Sequence, residues 1–151
     1  MSRLRLPLDG ACRCGKVKIR ISAPPLIAMA CHCTGCQRMS GSAYSLSAAI
    51  PTQGFAVIEG EPVVAGASPQ AGHHFCRDCM TWMFTRPEGL DFFVNVRPTM
   101  LEDTGWYSPF VETYTSEKLA WAQTPAAHSY EKFPPMEDFE PLMAAYAASL
   151  A

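Results

Sequence analysis

The chain has 151 residues, 48% of them hydrophobic and 17% charged. That balance excludes a disordered chain and a long solvated helical rod, and the length suits one domain, residues 1–151, whose core needs no disulfides. Twelve basic residues against 14 acidic ones leave a formal charge of −2, so non-specific binding of nucleic acid has a weak electrostatic basis and no nucleic-acid partner is expected.

Met1–Gly10 mixes polar, charged and apolar residues and lacks the apolar stretch of a signal peptide. Pro24–Ala30 is far shorter than the roughly 20 apolar residues that span a bilayer. The expectation is a soluble cytoplasmic protein with no membrane partner. Lys16–Ile21 alternates, with Val17, Ile19 and Ile21 on one face, and predicts a half-buried strand. Tyr44–Ile50 repeats that pattern. Phe55–Glu59 reads as a strand entering a turn at Gly60, and Phe92–Val96 as a central strand covered on both faces. Glu112–Tyr114 predicts a short strand. Phe139, Leu142, Met143, Tyr146 and Leu150 form a helical stripe. Pro141 is best tolerated in a first turn, which places the helix start near Glu140, with the helix packed over the sheet. The 13 prolines and 10 glycines cut the chain into short segments, as in a mainly β domain with many turns.

Seven cysteines, an odd number, argue against a disulfide framework and for thiolates held by metal or used in chemistry. They fall in three groups: Cys12 and Cys14; Cys31, Cys33 and Cys36; Cys76 and Cys79. A tetrahedral zinc takes four donors. Cys12, Cys14, Cys76 and Cys79 would close one structural site, and Cys31, Cys33 and Cys36 would leave a second site with one open position, the mark of a catalytic zinc. Three alternatives stand beside this division. The triplet and one other cysteine would form a four-thiolate site; a histidine, His73 or His74 before His128, would close the triplet; or Cys76 and Cys79 would form a redox pair. Three thiolates on Zn²⁺ sum to −1, so the open site still accepts an anionic ligand, and a substrate thiolate suits a sulfur-rich zinc. Arg13, Lys16, Arg38 and Arg77 lie near ligands in sequence and offer compensating charge. His32, between two ligands, is expected to turn away from the metal and to face solvent or line the site.

The segments Gly10–Gly15, Cys31–Arg38 with Gly41, Phe75–Cys79 and Pro109 with Lys118–Trp121 resemble the glutathione-dependent formaldehyde-activating enzymes, which include centromere-protein-V-like proteins. The likeness runs from about residue 10 to residue 121. It implies an Mss4-like β-tent of small antiparallel sheets pinned by zinc, here with a short C-terminal helix. It also implies two zinc ions per chain, structural on Cys12, Cys14, Cys76 and Cys79 and catalytic on Cys31, Cys33 and Cys36. The implied reaction joins a glutathione-like thiol to an aldehyde such as formaldehyde, reversibly, as a carbon–sulfur lyase. Two departures stand out: Met80 follows Cys79 where the family has glycine, and Arg97–Glu102 replaces a Gly-x-Leu-Asp segment.

For the developing alkoxide, His32, Ser40 and Ser42 are candidate proton donors, and for a substrate carboxylate Arg38 and Arg97 are candidate partners, with Arg77 beside them. Tyr44, Trp82, Phe93, Trp106 and Trp121 would line a cleft or fill the core. A zinc-stabilised binding module without chemistry, and a thiol-dependent enzyme acting on another aldehyde or a thioester, are the rival readings. The hydrophobic fraction permits a homodimer without requiring one.

Overall fold

Residues 1–151 are described in a computed structural model. The fold is mainly β, with two sheets and a C-terminal helix. Strands β1 (Leu8–Ala11), β2 (Lys18–Ile21) and β5 (Phe55–Glu59) make a three-stranded antiparallel sheet in the order β1-β2-β5. The larger sheet also contains β3 (Ile27–Cys31), β4 (Ser45–Pro51), β6 (Val63–Val64), β7 (His73–Phe75), β8 (Trp82–Thr85), β9 (Phe93–Val96), β10 (Val111–Thr113) and β11 (His128–Ser129). Its order is β11-β10-β3-β4-β9-β8-β7-β6. Two helices complete the chain, α1 (Thr34–Ser40) and α2 (Met136–Leu150).

Two cores follow from this arrangement. Leu8, Ile19, Ile21 and Phe55 of the small sheet pack against Ile50, Met83, Phe84, Val94 and Val96 of the large one. On the opposite side Ile27, Ala28, Ala49 and Val111 pack under Leu142 and Tyr146 of α2. β4 serves both cores: Ala48 and Ile50 point into the first and Ala49 into the second. It is therefore a doubly covered central strand rather than the half-buried one its alternation predicts.

Other expectations need correction. Lys16 and Val17 lie in the turn before β2, because the Val17 N–H is turned onto the Cys12 sulfur at 3.3 Å. β9 is central, between β4 and β8, but only Val94 and Val96 are buried while Phe92 is exposed outside it. The large sheet is not wholly antiparallel, since β10 pairs parallel with both β3 and β11. α2 starts at Met136, four residues before the expected point, after Pro135 and with Glu137 and Asp138 in its first turn. Pro141 thus lies inside the helix. α1, on the chain between two cysteines of one group, has no counterpart in the sequence reading. No helix is long and apolar enough to cross a membrane.

Candidate metal centres and their surroundings

Two hairpin turns carry the four-cysteine cluster. The β1–β2 turn holds Cys12 and Cys14, and it is tightened by Gly15, whose N–H bonds the Cys12 carbonyl at 3.0 Å with φ of 80°. The β7–β8 turn holds Cys76 and Cys79, with the Met80 N–H on the Cys76 carbonyl at 2.8 Å. Across the gap the Arg13 N–H donates to Thr81 Oγ1 at 3.0 Å, and Lys16 pairs with Asp78 at 3.3 Å. Gly10, just ahead of this turn, runs so close to the Met100 carbonyl that a Cβ there would sit 2.8 Å from it. The four sulfurs all lie within 4.8 Å of one another, with Cys12–Cys14 at 3.6 Å and Cys14–Cys76 at 3.7 Å. Four sulfurs at about 2.3 Å from a tetrahedral zinc are about 3.8 Å apart. The donor set therefore fits a metal that would clip the small sheet to the large one.

The second cluster comes from one continuous segment. Cys31 ends β3, Cys33 caps α1 and Cys36 lies in its first turn. The Cys33 sulfur accepts the Cys36 N–H at 3.3 Å, the place normally filled by a serine or aspartate oxygen. The three sulfurs lie within 4.8 Å of one another, and no histidine or carboxylate joins them at that distance. The Cys36 side chain, by hydrogen bonding to Cys31, holds the Cys31 thiol down to about 5, while the same contact and burial push Cys36 up. The three sulfurs thus behave as one interacting set, suited to sharing a cation.

α1 is tied to the segment that leads into it and to the turn after β10. Gln37 Nε2 donates to the His32 carbonyl at 2.7 Å and to the Glu117 carbonyl at 3.0 Å. The Glu117 carboxylate in turn accepts from the Thr34 N–H at 3.0 Å and from its hydroxyl at 3.1 Å.

The structure does turn His32 away from the sulfurs, but into the protein rather than to solvent: it is fully buried. Its Nε2 lies 2.8 Å from Glu112 Oε1, and Ser129 donates to Glu112 Oε2 at 2.9 Å. Burial raises the Glu112 pKa, but the Ser129 and His32 hydrogen bonds outweigh it and hold the carboxyl below its usual range. An ionised carboxylate only accepts, so the imidazole proton is on Nε2. Its Nδ1 is buried without a partner. Ser40 is exposed, and its hydroxyl donates to the Cys36 carbonyl at 2.7 Å. Ser42 and Arg38 are exposed near the end of α1.

Arg97, next to the end of β9, is half-buried, with its Nε shut off from solvent. Its Nη1 donates to the Leu46 carbonyl at 2.9 Å, its Nη2 to Thr85 Oγ1 at 3.1 Å, and the guanidinium carbon sits 3.7 Å from the centre of the Trp82 ring. Burial pulls it down to about 10, against the opposing effect of Cys36, Tyr107 and Cys31; it remains a cation at neutral pH. Thr85 Oγ1 also has Trp82 Nε1 at 3.2 Å and His73 Nδ1 at 2.9 Å. Tryptophan and arginine can only donate, so the hydroxyl accepts from both and gives its single proton to His73 Nδ1. His73 is accordingly neutral with its proton on Nε2, consistent with burial lowering its pKa. His74 Nδ1 is engaged by the Gly72 carbonyl at 2.7 Å. Neither histidine joins a cysteine cluster.

Of the aromatic candidates, Trp82 stacks on Arg97, Trp106 is core, Phe93 packs against the α2 core, Tyr44 meets His32 edge-on, and Trp121 is exposed. Sequence reasoning missed Thr85, Glu112 and Glu117. Glu117 sits one residue before the motif segment Lys118–Trp121 and was within reach of it; nothing in the sequence marks Thr85.

A mainly β protein with two cysteine clusters able to hold metal ions is the class that this fold and these sites define. A family model described as glutathione-dependent formaldehyde-activating enzyme matches residues 7–117, a span that includes all seven cysteines, and the chain belongs to that family. Among solved structures, a Rhodobacter sphaeroides protein is similar, with 24% identity, a TM-score of 0.49, and coverage of 62% of this chain and 87% of that one.

Proposed function

We propose that the protein is a zinc enzyme that joins a glutathione-like thiol to formaldehyde or a related small aldehyde, and cleaves the adduct in reverse. One observation carries this reading: the sulfurs divide into four and three, and no histidine, carboxylate or further cysteine joins the set of three. A zinc ion held by Cys31, Cys33 and Cys36 would stabilise a substrate thiolate at its remaining position. The four-cysteine cluster would hold a structural ion.

The chain's own residues set the geometry. α1 fixes Cys33 and Cys36 through the capping contact, and Gln37 anchors the helix to the rest of the fold. In the addition, the thiol sulfur forms a bond to the aldehyde carbon, the carbonyl π pair moves to oxygen, and the thiol proton ends on that oxygen. The step involves no net oxidation, and the gain comes from holding the two reactants together. Ser40 and Ser42, exposed at the end of α1, are the accessible hydroxyls for the proton at the alkoxide. Buried His32 is turned to Glu112 and serves the scaffold instead.

The test is Cys33→Ser, assayed for exchange between formaldehyde, glutathione and S-(hydroxymethyl)glutathione above the spontaneous rate. The variant is expected to lose one of two bound zinc ions and the catalysed exchange while keeping its far-ultraviolet circular dichroism. Retention of both zinc and exchange contradicts the reading.

A further inference from the structure

Arg97 is a half-buried cation whose Nε is shut off from solvent, and it has no carboxylate partner. The ion pairs of the molecule are Lys16–Asp78, Lys18–Glu59 and Arg20–Asp9, Glu112 is taken by His32, and Arg97 meets none of these carboxylates. Its two hydrogen-bond acceptors, the Leu46 carbonyl and the Thr85 hydroxyl, are neutral, and its Nε is buried with no acceptor at all. A charge partly shut off from solvent in this way is unfavourable unless an anion lies nearby.

Position identifies the anion. The β4–β9 ladder ends at Ala48 opposite Val96, so the Leu46 carbonyl lies beyond it and is taken by the guanidinium instead. Leu46 follows Ser45, which pairs directly opposite Cys31 at the end of β3. Arg97 is thus held against the strand ends that carry the triplet. The acidic groups that act on it are Cys36, Tyr107 and Cys31. Tyr107 is half-buried; desolvation raises its pKa and keeps it neutral, and its hydroxyl bonds the Met29 and Ser47 carbonyls. Only the triplet sulfurs are left to balance the charge.

We propose that Arg97 is the fixed counter-cation of the Cys31–Cys33–Cys36 metal centre, offsetting the net negative charge of three thiolates on a divalent ion and so strengthening metal retention without touching the metal. The inference rests on the metal-binding part of the proposed function. Arg97 is a positioning residue in this role, and Trp82 and Thr85 hold its guanidinium plane. Cations near in sequence do not fill the role: Arg38 is exposed, and Lys16 is paired with Asp78 beside the other cluster.

The test is a chelator challenge of the zinc-loaded protein, with release followed by a chromophoric zinc chelator and Cys33→Ser marking the triplet fraction. Arg97→Met is expected to weaken zinc retention at the triplet by about tenfold or more, in line with the loss of other groups that support metal ligands, with the four-cysteine zinc unchanged. Arg97→Lys, which restores the charge but cannot span Leu46 and Thr85 with a planar fork, is expected to hold the triplet zinc within about threefold of the wild-type chain. Triplet retention unchanged in Arg97→Met, or as poor in Arg97→Lys as in Arg97→Met, overturns the inference alone. If Arg97→Met does not fold, Arg97→Lys decides: a retained triplet zinc supports the charge role and a lost one overturns it. A wild-type chain that takes up zinc only at the four-cysteine cluster overturns this inference and the proposed function together.

Discussion

Met80 shows how a single position departs from its family without losing the site. The family resemblance puts glycine after the second cysteine of this turn, and Met80 adopts a left-handed conformation that glycine takes without strain, with φ of 60°. A side chain there costs about 1 kcal/mol, because Cβ approaches the neighbouring carbonyl oxygen. Met80 is exposed and packs little, so Met80→Gly is expected to raise stability by about 0.5–1 kcal/mol in a denaturant titration; a lower midpoint would contradict the strain. His32 presents the opposite case, a residue whose neighbours in sequence suggest chemistry and whose side chain is buried against Glu112. His32→Gln keeps an N–H at the position of Nε2 and can still donate to Glu112. Its exchange activity is expected to stay within about threefold of wild type, whereas loss of a general acid costs on the order of 100-fold. The kinetics of that one variant separate the two roles.

At the level of elements, the strands were legible where alternation is clean and one face is exposed. Phe55–Glu59 coincides with β5, whose outer face is open to solvent. β4 misled because two cores share it, so small and large apolar residues face both ways. α1 gave no periodic signal because it has only seven residues, none of them buried, and its cap is a cysteine rather than serine or aspartate. That helix nevertheless carries one sulfur and is capped by another. Its attachment through Gln37 to the carbonyls of His32 and Glu117 is what holds the two in place. Gln37→Ala is expected to reduce zinc retention at the triplet by about tenfold, the scale of lost support around metal ligands, without altering the four-cysteine zinc. Equal loss at both clusters would point to general destabilisation instead.

Across the whole molecule, the cysteine groups were legible because ligands of one site recur at short spacing in the chain, and spacing is visible in sequence. The surroundings were hidden because they are made by folding: His32 meets Glu112 across 80 positions, and Arg97 meets Leu46 across 51. The four-cysteine cluster joins the turn of one sheet to the turn of the other, so a metal there would stabilise the contact between sheets that encloses the main core. The triplet makes no such link, being drawn from residues 31 to 36 alone. Loss of its metal should therefore leave the fold intact, and this asymmetry supports the proposed division into one structural and one reactive centre. X-ray absorption at the zinc edge, on protein of known metal content, tests the assignment most directly. Two zinc ions per chain are expected, one with four sulfurs and one with three sulfurs and a lighter donor that glutathione replaces with a fourth sulfur. A single zinc per chain, or a second zinc whose coordination glutathione leaves unchanged, would contradict it.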